Sequence, residues 1–310
     1  MTCAFKIDAA TALNPGARDY QEDAVVAEFS SGAEFGFAVL ADGMGGHAAG
    51  EVASKIVVNE VFSALMLARN DLAAFAADVT GALRRAADTA NGCLRDHVAR
   101  DPASHGMGAT LVAPVIVGDQ MHWISVGDSP LFLFRDGVLS QLNQDHSLGP
   151  KIDLLVRMGE LDPDEGRVHP DRNVLTSVLF GQTIAMIDCP PAPVQLCPGD
   201  VVIVASDGLQ FLSNSQIEAI VRAHPLSRSD QLADLLMQAV LALEDPDLDN
   251  VAMSVIRVLH PAPIYTAMPA RHHERVVPRQ SSFAKMLRSP GKFLNTRRDT
   301  VQPEGQRHER

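Results

Sequence analysis

Cysteine is scarce in this sequence. Cys3, Cys93, Cys189 and Cys197 stand far apart, with neither a CxxC pair nor the spacing of zinc ligands. That sets aside a disulfide framework and a thiolate metal centre, and the reduced thiols expected instead fit a cytoplasmic protein. No apolar run approaches the roughly 20 residues that a membrane helix needs. The N-terminal MTCAFKIDAATAL also lacks the apolar core of a signal peptide. A soluble chain, cytoplasmic and independent of membranes, is expected. Basic charge is short as well: 26 Lys and Arg stand against 38 Asp and Glu, a net of −12. Residues 261–310 hold ten basic and four acidic residues, so residues 1–260 hold 16 against 34, a net of −18. An acidic body disfavours nucleic acid as a partner, because phosphate backbones select basic surfaces. It suits a protein that gathers carboxylates to hold cations, although solubility alone also accounts for it.

What the chain does have is apolar residues, 46% of the total, enough for a sizeable core. Short β-rich runs fall at 24–29, 34–41, 109–117, 121–126, 131–134, 201–205 and 251–258, most bounded by Gly, Asp or Pro. Helical spacing appears at 48–69 and 71–100, the second opening on a cap at Asn70/Asp71, and again at 215–223 and 229–243. Grouped strands with helices inserted in pairs predict an α+β fold with antiparallel sheets, not a doubly wound parallel sheet. Residues 147–180 interrupt the strand pattern with a short helix over 150–159 and a polar loop, and read as an inserted flap. Beyond residue 260 periodicity vanishes, and 261–310 reads as a basic, disordered tail. A weak surface helix over 282–294 is broken by Pro290-Gly291.

Three Asp-Gly dipeptides precede the tail, and they differ. Asp136-Gly137 lies between LFLFR and VLSQL, the pattern of a tight hairpin. Asp42-Gly43 follows an apolar strand and opens the Gly-rich DGMGGHAAGE; Asp207-Gly208 follows VVIVAS and leads toward a helix. A carboxylate at a strand end followed by Gly leaves an anion at a sheet edge that another group can approach closely. Glu22-Asp23, Asp128 and Asp249 also stand at strand boundaries, where chains from different strands converge. Converging carboxylates repel unless a cation neutralises them. Oxygen donors without His or Cys point to a hard ion, Mg²⁺ or Mn²⁺. Two such ions acidify a shared water and orient it for in-line attack on phosphorus, and an arginine can clamp the phosphate oxygens.

The ordered motifs NPGARDYQEDA (14–24), VLADGMGGHAAGEVAS (39–54), MGATLV (107–112), ISVGDSPLFLFRDG (124–137), NQDHSL (143–148), HPDRNVLTSVL (169–179), VIVASDGL (202–209) and Asp249 with the following NVAMSVI resemble the bacterial form of the metal-dependent protein phosphatases of the 2C type. The resemblance implies two antiparallel sheets packed as a sandwich between helix pairs. It implies a phosphatase domain over 1–260 that hydrolyses phosphoserine and phosphothreonine through a water activated by two Mn²⁺ or Mg²⁺ ions. It also implies that Asp42 bridges the two ions with the Gly43 carbonyl on one of them, and that Asp207 and Asp249 ligate the other. Glu22 and Asp23 hold metal-bound waters, Arg18 binds the phosphate, and Asp128 with Asp207 holds a third, weaker ion. The implied partners are phosphoprotein substrates and a cognate Ser/Thr kinase, with the chain acting as a monomer. The alternatives are a non-catalytic regulatory module on the same fold and a phosphatase for small molecules. The sequence departs from the family at Pro130, where VGDSR is usual, at Gly108-Ala109-Thr110 for the usual GTT, and at Ser177-Val178, where Arg-Ala is common. Met44 stands where eukaryotic relatives carry a histidine, so no general acid is assigned. His47 and His146 are read as structural hydrogen-bonding residues.

Overall fold

The computed structural model describes residues 5–29, 35–46 and 48–260, the side chain of Ala48 excepted. The chain divides into a unit Met1–Pro263 and a unit Ile264–Arg310. The second unit, with the tail expected over 261–310 and the helix weighed over 282–294, lies outside the described residues, as does His47.

Side-chain alternation explains the layers. In strand β3 (Phe35–Ala41) all seven residues are buried. Phe37, Val39 and Ala41 point into a core shared with helices, while Ala38 and Leu40 point into a different core. Strand β11 (Val201–Ala205) repeats this, with Val201 and Ile203 on the helix side and Val202 and Val204 on the other. A strand covered on both faces reads as a continuous apolar run, even though these sheets are antiparallel.

One five-stranded sheet runs β1 (Lys6–Asn14), β12 (Val251–Leu259), β11, β8 (Leu131–Arg135), β9 (Val138–Gln141). The other runs β10 (Val194–Gln195), β7 (Gln120–Val126), β6 (Leu111–Val117), β3, β2 (Ala24–Glu28), and every pairing in both is antiparallel. Leu40, Val112, Trp123, Leu133, Val202 and Ile256 fill the space between the sheets. Helices α1 (Ala48–Ala68) and α3 (Val79–Arg100), joined by the short α2 (Leu72–Ala77), cover the second sheet. After α4 (Gly149–Met158) and α5 (Pro163–Arg167) of the inserted segment, α6 (Asn214–Ala223) and α7 (Ser229–Leu241) cover the first. These α-β-β-α layers are the expected sandwich.

Local chemistry sets the element ends. Asp136 and Gly137 both take positive φ, 52° and 83°, so the β8–β9 turn is the two-residue hairpin its sequence demands. The helix expected over 71–100 is instead two. Asp71 accepts from the Ala74 N–H and Asp78 from the Gly81 N–H, both at 3.0 Å, so each aspartate starts its own helix. The strand expected over 109–117 breaks at Thr110, separating β5 (Gly108–Ala109), which pairs with β4 (Gly43–Met44), from β6.

Strand β1 was not legible in the sequence. KIDAATALN is rich in alanine and carries an aspartate, both poor strand residues. Nine residues of antiparallel register against β12 hold it extended. The registers Ala24↔Ala41, Leu111↔Val126, Val204↔Leu131, Ala205↔Met253 and Asn14↔Val251 bring the loops at 15–23, 42–46, 127–130, 206–208 and 249–250 to one end of the sandwich.

Candidate active site

At that end lies a cleft of about 630 Å³ lined by Arg18, Glu22, Asp42, Asp128, Asp207 and Asp249 among others. Five chain segments thus bring together residues up to 231 positions apart. Every site residue picked from the sequence is in the cleft wall except Asp23, which is buried behind it.

Asp42 leaves β3 and is pinned through its backbone. Its N–H donates to Thr110 Oγ1 at 2.9 Å, and its carbonyl accepts from the Thr110 N–H at 2.9 Å. The Thr110 hydroxyl in turn meets Ser129 Oγ at 2.8 Å, so the break that ends β5 at Thr110 serves to anchor Asp42. Gly43 and Gly208 are required by close approach, not by φ. A Cβ on Gly43 would lie 2.1 Å from the Gly50 carbonyl oxygen, and one on Gly208 would lie 2.1 Å from that of Asn250.

Asn250 had no assigned role in the sequence reading, yet it organises one side of the cleft. Its Oδ1 accepts from the Glu22 N–H at 2.6 Å, and its Nδ2 donates to the carbonyls of Pro15 at 2.9 Å and Tyr20 at 2.8 Å. The loop bearing Arg18 and Glu22 is therefore strapped to the start of β12. The signal that could have found it is an amide side chain directly after a site aspartate, buried at a strand entrance. Ser206 was missed in the same way: its hydroxyl donates to Asp23 Oδ2 at 2.7 Å and accepts from the Ala252 N–H at 2.9 Å.

The carboxylates crowd one another. Burial, then the charges of Asp23, Asp207, Asp128 and Asp249, raise the Asp42 carboxyl well above the ordinary range. Burial pushes Asp23 up to about 7, opposed by the Ser206 hydrogen bond and reinforced by Asp207, Asp249 and Glu22. Burial, Asp207 and Asp145 push Asp128 up to about 7. Burial and Asp249 push Asp207 up to about 6, with a hydrogen bond from Asp42 opposing. Among the described residues lining the cleft, Arg18 is the one cation, and its Nη2 donates to Asp249 Oδ2 at 2.8 Å. One guanidinium against this many acids leaves a strong negative excess that divalent cations would neutralise. Among the described residues no three His, Cys, Asp or Glu side chains already form a closed ligand group.

The departures from the family pattern have local accounts. Pro130 is bracketed by Asn143, whose Oδ1 accepts from the Leu131 N–H at 2.7 Å and whose Nδ2 donates to the Ser129 carbonyl at 3.0 Å. The Ser177 hydroxyl turns inward, donating to the Met186 carbonyl at 2.8 Å, so it closes the 177–186 loop. Met44 lines the cleft, and no histidine does so among the described residues.

An α-β-β-α sandwich with a carboxylate cleft at one end is the architecture of the metal-dependent phosphatases. The chain belongs to the protein phosphatase 2C family, whose sequence profile matches residues 18–251. It is 33% identical over 224 residues to the serine/threonine protein phosphatase PstP of Mycobacterium tuberculosis, an alignment that covers 71% of this chain and spans about 40% of the length of PstP. It is 31% identical over 219 residues to the protein phosphatase PhpP of Streptococcus pneumoniae, covering 70% of this chain and 84% of PhpP. The crystal structure of the PstP catalytic domain in complex with two manganese ions is similar to this fold, with a TM-score of 0.65 and 29% identity over 82% of this chain and 99% of that one.

Proposed function

We propose that the chain is a protein serine/threonine phosphatase that hydrolyses phosphoserine and phosphothreonine with two Mn²⁺ or Mg²⁺ ions. The observation that carries this reading is the convergence of Asp42, Asp128, Asp207 and Asp249 in one cleft with Arg18 as its cation. When bound, the ions supply a water acidic enough to attack phosphorus in line. Asp42, leaving β3 with its backbone locked by Thr110, would bridge them with the Gly43 carbonyl on one. Asp207 and Asp249 would hold the other, and Asp128 with Asp207 a third, weaker one. Glu22 and Asp23 would orient coordinated waters.

Arg18 now neutralises Asp249. A cation on Asp249 would free the guanidinium to grip two phosphate oxygens. No histidine among the described residues lines the cleft, and a metal-bound water would supply the leaving group's proton. Residues 1–260 are taken as the phosphatase domain, with 147–180 as a flap over the cleft whose Asn173 and Leu175 reach its wall. No helix among the described residues is long and apolar enough to cross a membrane. A monomer in the cytoplasm opposing a Ser/Thr kinase completes the reading. The regulatory-module alternative is not favoured, since none of the site acids is missing.

Phosphate release from a phosphothreonine peptide, measured with Mn²⁺, with Mg²⁺ and with excess chelator, tests the reading. Release with either ion and none in chelator is expected. Undiminished release in chelator overturns the mechanism, and release from small esters but never from phosphopeptides overturns the substrate class.

A further inference from the structure

The histidine of NQDHSL lies outside the cleft, yet it touches both the turn that carries Asp128 and the segment that returns from the flap. His146 is only 2% exposed. Its Nδ1 accepts from the Gly127 N–H at 3.2 Å, and its own N–H donates to the Gly127 carbonyl at 3.0 Å. Gly127 is thus held on both sides of its peptide, immediately before Asp128. It has little other freedom: its φ is +106°, and a Cβ there would lie 2.6 Å from Thr110, the residue that pins Asp42. On the opposite side the His146 carbonyl accepts from both the N–H and the hydroxyl of Thr176, each at 2.7 Å. Ser147 forms a bridge with Leu175, which lines the cleft.

We propose that His146 is a positioning residue: through Gly127 it sets the turn bearing Asp128, and through Thr176 it ties that turn to the flap. The inference rests on reading Asp128 as a cation-holding acid. Its chemistry is a tautomer argument. A ring that accepts at Nδ1 carries its proton on Nε2, and Nε2 is buried without a partner among the described residues. The hydrogen bond that the described residues give the ring is therefore the one from the Gly127 N–H to Nδ1. Partners of a metal-holding group that lie one shell out commonly change metal affinity by about 10–100-fold when removed.

The test uses the full chain and three variants, His146→Ala, His146→Asn and His146→Gln. Asn places an acceptor where Nδ1 stands; Gln carries it one bond too far. Manganese binding is followed by calorimetric titration, manganese-dependent hydrolysis of nitrophenyl phosphate by its half-saturation, and flap opening by hydrogen exchange over 147–180. His146→Ala and His146→Gln are expected to weaken the lowest-affinity manganese site about tenfold and to speed exchange at Thr176, with most of kcat returning at saturating manganese. His146→Asn is expected to stay close to the parent chain. A purely structural histidine would lower Tm without moving the manganese midpoint, and that result overturns the proposal. So does equal loss in His146→Asn and His146→Ala. Should His146→Ala fail to fold, the Asn and Gln pair carries the same comparison. If the parent shows no manganese dependence, or Asp128→Ala leaves its manganese binding intact, the underlying site reading fails instead.

Discussion

Single side chains in the cleft work against folding, and that makes them testable apart from catalysis. Asp42 is surrounded by acids that raise its carboxyl, so Asp42→Asn in chelator should raise Tm by about 2–4 °C, the size of a change of about 1 kcal/mol in a domain of this length. The same variant should lose at least about 100-fold in phosphate release with manganese present, because the acid proposed to bridge the ions would be gone. Scanning calorimetry and a phosphate assay on one preparation check both halves. Arg18→Ala should raise KM for a phosphopeptide about tenfold, or about 1.4 kcal/mol, and Arg18→Lys should restore little, since a point charge cannot grip two oxygens at once. The pH dependence has a definite sign. Asp23 and Asp128 titrate near 7 and Asp207 near 6 in the native protein, against the ordinary 3.8. Native acids therefore hold protons that the unfolded chain has already released. In chelator their contribution to stability is fully present below the ordinary carboxylate range and is lost as pH rises to about 7. Divalent cations must displace those protons, so the rise in Tm on adding manganese should grow between pH 5.5 and 8.

Elements meet at the cleft through a few contacts that substitutions can break one at a time. Asn250 straps the loop at 15–23 to β12 with three hydrogen bonds, so Asn250→Ala should cost about 2–3 kcal/mol and loosen Arg18 along with the loop. Denaturant unfolding gives the first effect, and weaker inhibition by inorganic phosphate gives the second. Gly208→Ala should cost about 3 kcal/mol, because a methyl 2.1 Å from the Asn250 carbonyl forces the two loops apart. Elsewhere the element contacts serve stability alone. Arg257 is a buried arginine whose guanidinium donates to the carbonyls of His224, Pro225 and Ser227, closing the loop between α6 and α7. Asp8 on β1 accepts from the Ser229 N–H at 2.8 Å and so caps α7 from another sheet strand. The buried Asp200 takes Arg135 bidentately at 2.8 and 2.6 Å, joining β8 to the turn that enters β11.

At the scale of the whole molecule, acidity meets substrate choice. A body carrying a net −18 over residues 1–260 should attract phosphopeptides with flanking Lys or Arg and repel acidic ones. The ratio of kcat/KM between a basic and an acidic phosphopeptide should exceed one and shrink as salt rises from about 0.01 to 0.15 M, where screening shortens to about 8 Å. A ratio insensitive to salt would place selectivity in local contacts of the flap instead.

The sequence by itself determined the α+β class and most of the elements, because strands covered on both faces must be apolar throughout and helix faces must repeat every 3.6 residues, while the layering followed from the family resemblance. It also made Asp42 and Asp207 stand out, since an apolar strand ending in Asp-Gly differs from the Asp136-Gly137 hairpin. It did not reveal β1, whose alanine-rich stretch becomes a strand only by pairing with β12, nor the break at Asp78, where two local caps override a continuous helical pattern. Asp249 takes its expected role from the family resemblance, and only the fold lays it against Arg18 across 231 residues of chain. Ser206, Thr110 and Ser129 carry no signal of their own, because a buried hydroxyl is defined by the partner it reaches. Which carboxylates share a cleft, and how strongly they resist ionising there, is a matter of distance and burial. Both are set by the registers of the two sheets.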